Sequence, residues 1–134
     1  MKLTARYKFA ASHRLVSPAL TPEENARLYG KCNYPFGHGH DYVLDVTVEG
    51  PRDGSGQIIL RDELNKWVEE RVVCKVDHLN LNTDVAELNG KVTTTENLAF
   101  AVEKMLADGW PYAAKLAAVR ISETERNTFE LETK

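Results

Sequence analysis

Apolar and polar residues alternate from Lys2 to His13, with Leu3, Ala5, Tyr7, Phe9 and Ala11 on one side and Lys2, Thr4, Arg6 and Lys8 on the other. This period of two marks a strand that buries one face. The same parity puts His13 on the apolar side. The pattern returns over 41–49, where Tyr42, Leu44, Val46 and Val48 oppose Asp41, Asp45, Thr47 and Glu49. Here His38 and His40 carry the apolar parity back toward the start of the strand. Near the C-terminus Ala117, Val119 and Ile121 share a face, Glu125-Arg126-Asn127 reads as a turn, and Phe129 and Leu131 begin an antiparallel partner. Extending that parity places Glu123 on the apolar side.

Between the strands the period changes. Leu60, Leu64, Trp67, Val68 and Val72 recur at helical spacing and predict an amphipathic helix over about 61–73. Thr93-x-x-Glu96 has the form of a capping box, and Leu98, Ala101, Val102, Met105 and Leu106 mark the face of the helix that follows, until Gly109 and Pro111 stop it. A shorter helix is expected after Thr21-Pro22-Glu23-Glu24, ending at Gly30 and able to cover neighbouring chemistry. Pro51 to Gly56 lacks the glycine spacing and the Lys-Ser/Thr of a phosphate loop and carries no chemistry. The order strand, strand, helix, helix, strand, strand predicts an α+β fold: a four-stranded antiparallel sheet with two helices packed on one face, in a single domain over 1–134. So small a sheet leaves edges to cover, which favours an oligomer.

With 134 residues, 43% of them hydrophobic, the chain has enough apolar material for one core. A formal charge of -3 and a pI near 5.8 offer neither the basic field that attracts nucleic acid nor a polybasic run for a membrane surface. Lys2, Arg6 and Lys8 interrupt any apolar N-terminal run, so neither a signal peptide nor a membrane span is expected and the cytosol is the expected location. Two cysteines, Cys32 and Cys74, make no disulfide framework and read as free thiols. Cys74, in Val72-Val-Cys-Lys-Val76, reads as a small buried hydrophobe.

The candidate chemistry lies mostly at the ends of the strands. In His38-Gly39-His40 two imidazoles stand two residues apart, and on an extended backbone both point to one face, where they can reach one metal ion. His13 is expected on the same face of a neighbouring strand. Three imidazoles without a fourth protein ligand suit a catalytic zinc, whose open position takes water or substrate. Gly37 and Gly39 relieve crowding around the pair. Cys32, six residues before His38, feeds into this site; it becomes useful only as a thiolate, which Lys31, zinc or a protonated histidine favours. Asp77-His78 pairs a carboxylate with an imidazole for general acid-base work if a turn brings the side chains together, and otherwise reads as a helix cap beside a surface histidine. Glu123 on an apolar face calls for a partner: a flat ligand with two N–H donors, or Arg120 or Arg126 in a surface pair. Thr93 to Asn97 cap a helix whose exposed N–H groups also suit ligand atoms.

Taken together, Phe9-Ala-Ala-Ser-His-Arg-Leu15, Pro22-Glu-Glu-Asn25, Gly30-Lys-Cys32, Gly37-His-Gly-His40, Val76-Asp-His-Leu-Asn80, Thr94-Thr-Glu-Asn97 and Glu123-Thr124 closely resemble the 6-pyruvoyltetrahydropterin synthase family over nearly the whole chain. The resemblance implies a tunnelling-type fold, zinc held by His13, His38 and His40, and Cys32 as catalytic proton acceptor. It implies Asp77 and His78 as a proton relay, and Glu123, with Thr94 and Thr95, at the pterin ring. It further implies a lyase that converts 7,8-dihydroneopterin triphosphate to 6-pyruvoyltetrahydropterin, and a homohexamer of two stacked trimers whose active sites are shared between subunits. Relatives with the same core include 6-carboxytetrahydropterin synthases on the route to queuosine. The interval from Cys32 to His38 and the Pro22-Glu-Glu-Asn25 insert resemble the pyruvoyl-forming branch more. A noncatalytic pterin- or metal-binding module is the reading from another class, and Cys32 separates it from an enzyme.

Overall fold

A computed structural model describes residues 1–133 of the chain. Strand β1 (Lys2–His13) and strand β2 (His38–Glu49) pair antiparallel over their whole length, from Lys2 opposite Glu49 to His13 opposite His38. β2 pairs on its other side with β4 (Lys115–Thr124), which continues into β5 (Asn127–Glu132). Most of the predicted alternation is buried: Ala5, Phe9 and Ala11 of β1, Tyr42, Leu44, Val46 and Val48 of β2, and Val119 and Ile121 of β4 enter the core, whereas Leu3 and Tyr7 are only partly buried and Leu116 is buried in place of Ala117, where the β2–β4 register shifts at Thr47 and Val48. Thr4, Arg6, Lys8, Asp41 and Arg120 stand on the opposite, solvated face.

The sheet has five strands and is mixed, not four-stranded and antiparallel as the pattern suggests. The extra strand, β3 (Leu79–Asn80), lies parallel to β1 at Ala11 and Ser12, giving the order β3-β1-β2-β4-β5. Two residues are too few to show a period, so this strand leaves no trace in the hydrophobic pattern. It forms because the chain turns sharply at His78, a non-glycine residue with φ 61°, and donates the amides of His78 and Leu81 to the carbonyls of Ala10 and Ser12.

The apolar face is covered by α2 (Arg61–Val68) and α4 (Thr95–Ala107), through Leu64 and Val68 on the first and Leu98, Ala101, Val102, Met105 and Leu106 on the second. Helix α2 runs on beyond its predicted end, through a π-helical stretch (Glu69–Val73) into a last α-turn, α3 (Cys74–Val76). The wide π turn changes which side of the helix meets the sheet. Val72, Val73 and Val76 are buried, while Cys74 is exposed and donates its thiol to the Glu70 carbonyl, contrary to the buried position expected for it. The short helix α1 (Pro22–Tyr29) begins at Thr21 with the full reciprocal capping box and leads through a 3-10 turn (Gly30–Asn33) into the loop before β2. No helix among the described residues is long and apolar enough to cross a membrane.

Candidate metal centre and its surroundings

The antiparallel register sets His13 directly opposite His38 and Ala11 opposite His40 at one end of the sheet. The rings of His13 and His40 meet edge to face with centroids 5.0 Å apart, and those of His38 and His40 lie 4.7 Å apart. Tyr42, two residues further along β2, lies under His40 with centroids 5.7 Å apart and stacks on Phe9 at 5.1 Å. This aromatic floor belongs to the core, so the imidazoles stand on rigid ground. Burial, with Glu123 and Cys32 nearby, pushes the Tyr42 phenol well above its ordinary range and keeps it protonated.

His13 is buried, and its Nδ1 lies 2.8 Å from the carbonyl oxygen of Thr93. A carbonyl only accepts, so Nδ1 carries the proton and the other ring nitrogen of neutral His13, Nε2, presents a lone pair. That Nε2 is buried without a hydrogen-bonding partner, although a Glu123 carboxylate oxygen lies 3.3 Å away. His38 Nδ1 is likewise buried and unpartnered. One ligand atom each from His13, Cys32, His40 and Glu123 lie within 4.8 Å of one another. Two imidazoles, a thiol and a carboxylate with converging lone pairs form a donor set that a cation such as zinc satisfies. His38, expected as a ligand with the other two histidines, neighbours this group without belonging to it. Strand parity sets which face a ring occupies and leaves its rotation open.

Glu123 is the residue whose surroundings depart furthest from expectation. Neither Arg120 nor Arg126 pairs with it among the described residues. One carboxylate oxygen lies 2.8 Å from His40 Nε2, and the other accepts from the Thr95 hydroxyl at 2.8 Å and the Asn127 side-chain amide at 2.9 Å. With the imidazoles protonated, His13 first, then Thr95 and His40, hold the carboxyl down at about 2 against the burial that would raise it. His40 in turn is lowered, chiefly by burial, with Glu123 opposing and the two other histidines assisting.

Cys32 lies in the 3-10 turn with its Sγ 3.5 Å from His40 Nε2. Its thiol is raised by burial first and by the negative Glu123 second, so these side chains favour the thiol over the thiolate. Among the described residues no cationic side chain, Lys31 included, offsets these two effects in favour of the expected thiolate.

Asp77 and His78 do meet, His78 Nδ1 standing 3.1 Å from an Asp77 carboxylate oxygen. The left-handed turn at His78 brings the two side chains together where an extended strand would part them. Asp77 also accepts the Ala10 amide at 2.9 Å, and that bond is the first cause of its lowered pKa. The His78 side chain remains 80% exposed. His78 thus lies at the surface beside β1, on a shallow depression that Ser12, Gly39, His40 and Asp41 also line.

At the start of α4 the cap is Thr94, not Thr93: the Thr94 hydroxyl accepts from the Asn97 amide, and Thr93 is buried with its hydroxyl unpartnered. Thr95 faces Glu123, as just described. Sequence reasoning missed three members of the site. Tyr42 follows His40 at the same parity and was legible as a floor residue; Asn127 at the β4–β5 turn and the Thr93 carbonyl carry no signal of their own.

The loop before β2 is pinned by one glycine. At Gly37, with φ +77°, an added Cβ would stand 2.5 Å from the His13 carbonyl oxygen, whereas at Gly39 it would meet nothing within 4 Å. We expect Gly37→Ala to destabilise the fold by at least about 1–3 kcal/mol from backbone strain alone. Gly39→Ala is expected to stay within about 0.5 kcal/mol of the parent. Urea unfolding of both variants checks this; equal effects would contradict the packing described.

The family model for 6-pyruvoyl tetrahydropterin synthase matches residues 2–134. The chain is 44% identical over 127 residues to the 6-pyruvoyl tetrahydrobiopterin synthase of Dictyostelium discoideum, covering 93% of this chain and 90% of that one. It is 41% identical over 127 residues to the human protein of the same name, covering 94% and 87%. The structure of Caenorhabditis elegans 6-pyruvoyl tetrahydropterin synthase superposes with a TM-score of 0.91 at 34% identity, covering 100% of this chain and 96% of that one.

Proposed function

Since the chain belongs to the 6-pyruvoyl tetrahydropterin synthase family, we propose that it is a zinc-dependent lyase converting 7,8-dihydroneopterin triphosphate to 6-pyruvoyltetrahydropterin with release of triphosphate. The observation that carries this reading is the convergence of ligand atoms from His13, Cys32, His40 and Glu123 at one end of the sheet.

In this reading His13 and His40 of that cluster hold the metal together with the neighbouring His38, while Cys32 and Glu123 act on the substrate. The buried, unpartnered nitrogens of His13 and His38 support it, as does the Thr93 carbonyl that fixes the His13 tautomer. Zinc bound there supplies Lewis acidity, lowering the pKa of substrate hydroxyls and favouring a developing carbonyl. Cys32 is the proton acceptor, and a metal held by these residues would supply the positive charge that favours its thiolate. Glu123 holds the pterin: its carboxylate is already ionised and oriented by Thr95 and Asn127, and an edge with two N–H groups would take over the contacts now made with the histidines. Thr94 and Thr95, at the start of α4, border the same ring.

Asp77-His78 serves as the second proton-transfer group. Asp77, anchored on the Ala10 amide, fixes the orientation of His78. Its exposure suits delivery into a neighbouring subunit's site. A homohexamer of two stacked trimers would allow this, and it is supported by the two ends of the sheet: β5 has a partner on one side only, and β3 covers β1 only at Ala11 and Ser12. Two free cysteines accord with a reducing, cytoplasmic setting. The test is incubation with dihydroneopterin triphosphate followed by mass analysis: a pyruvoyl side chain supports the proposal, and a carboxyl group in its place assigns the chain to the carboxy-forming branch.

A further inference from the structure

Asn97, in the first turn of α4, is bonded to both sides of the turn that enters the helix. Its backbone amide donates to the Thr94 hydroxyl at 3.2 Å, and its side-chain amide donates to the Val92 carbonyl at 2.7 Å. Between these two anchor points sits Thr93, 1% exposed, whose carbonyl receives the His13 Nδ1 proton at 2.8 Å. The Thr93 hydroxyl makes no hydrogen bond, so its side chain does not fix the peptide unit that carries this carbonyl. The clamp from Val92 to Thr94 does.

We propose that Asn97 is a positioning residue for the metal centre. By bridging Val92 and Thr94 it holds the Thr93 carbonyl on His13 Nδ1, which fixes the ring orientation and directs Nε2 at the cluster with Cys32, His40 and Glu123. The proposal rests on the reading of His13 as a metal ligand. An ordinary helix cap would need only the backbone bond to Thr94; the side-chain bond to Val92 reaches outside the helix and acts on the segment that orients the histidine.

Two substitutions separate positioning from capping. Asn97→Asp keeps the shape and the backbone amide but turns an acceptor toward the Val92 carbonyl, and Asn97→Ser shortens the side chain. Lys104→Gly is the control: it weakens α4 at an exposed position away from the turn. Zinc affinity, read by competition with a chromophoric chelator, is expected to fall about 10- to 100-fold in both Asn97 variants, the effect typical of losing a supporting partner of a ligand. The cobalt-substituted protein should show altered ligand-field absorption. In the metal-free protein, imidazole 15N correlation spectra should show His13 protonated at Nδ1 in the parent and as a tautomer mixture in the variants. Lys104→Gly should lower the melting temperature and leave all three readouts at parental values.

Parental affinity and tautomer in the Asn97 variants would overturn the proposal. So would an equal loss in Lys104→Gly, an Nε2-protonated His13 in the parent, or Asn97 variants that fail to fold under conditions where Lys104→Gly folds. If the parent binds no zinc, the reading of His13 as a ligand fails by itself, while the tautomer measurement still decides whether Asn97 orients the ring.

Discussion

Cys32→Ala is expected to keep the fold and the bound zinc while turnover drops by about 10²- to 10⁴-fold, the usual contribution of a positioned general base. The thiol lies 3.5 Å from His40 Nε2 and is partly buried, so its removal leaves a small void at the rim of the cluster and not in the core. If the three histidines hold the metal, as proposed, zinc content measured by elemental analysis stays near one per chain. A noncatalytic binding module would bind pterin and metal equally well with or without the thiol. Unchanged turnover would remove Cys32 from the chemistry, and loss of zinc along with turnover would make it a ligand in place of a proton acceptor.

His40→Ala should have the larger and broader effect, because His40 joins every part of the centre. Its Nε2 lies 2.8 Å from Glu123 and 3.5 Å from Cys32, and its ring packs on Tyr42 and against His13 and His38. Zinc affinity is expected to fall by more than about 100-fold, beyond what loss of a mere supporting partner costs, and turnover to fall with it. Glu123 loses one of the charges that hold its carboxyl at about 2, so its pKa rises. His78→Ala is the informative comparison: its side chain is 80% exposed and outside the cluster, so turnover should fall with zinc content unchanged. A His40→Ala protein that retains zinc at parental affinity would rule out this centre.

The parts of the site carried by strands were legible in the sequence. Alternation placed His13, His38, His40 and Glu123 on the buried face before any contact was known, and each side chain is found there or at its edge. Period-two reasoning stops at the face. It does not tell that His40 points at Glu123 while His38 stays outside the tight group, since both facts depend on ring rotation and packing. It also misses elements too short for a period to repeat. β3 has two residues and arises from a left-handed turn at His78, so a parallel strand pair appears where the pattern shows only a loop. Cys74 was misplaced because its apolar neighbours suggested burial, whereas the helix continues past its expected end and turns Cys74 to solvent while Val72, Val73 and Val76 face the core. The one-residue shift of the cap from Thr93 to Thr94 came from three consecutive threonines that are equivalent as caps by composition. Burial of Thr93 behind His13 decides between them.

The central claim is that this cluster holds a metal on which pterin chemistry depends. It is tested most directly by giving 7,8-dihydroneopterin triphosphate to chelator-stripped protein before and after zinc is restored, and following triphosphate release with the mass of the pterin. No conversion is expected from the stripped protein, and release of triphosphate together with 6-pyruvoyltetrahydropterin is expected once zinc is added back. Conversion at the same rate without metal, or zinc-loaded protein that leaves the substrate intact, would contradict it.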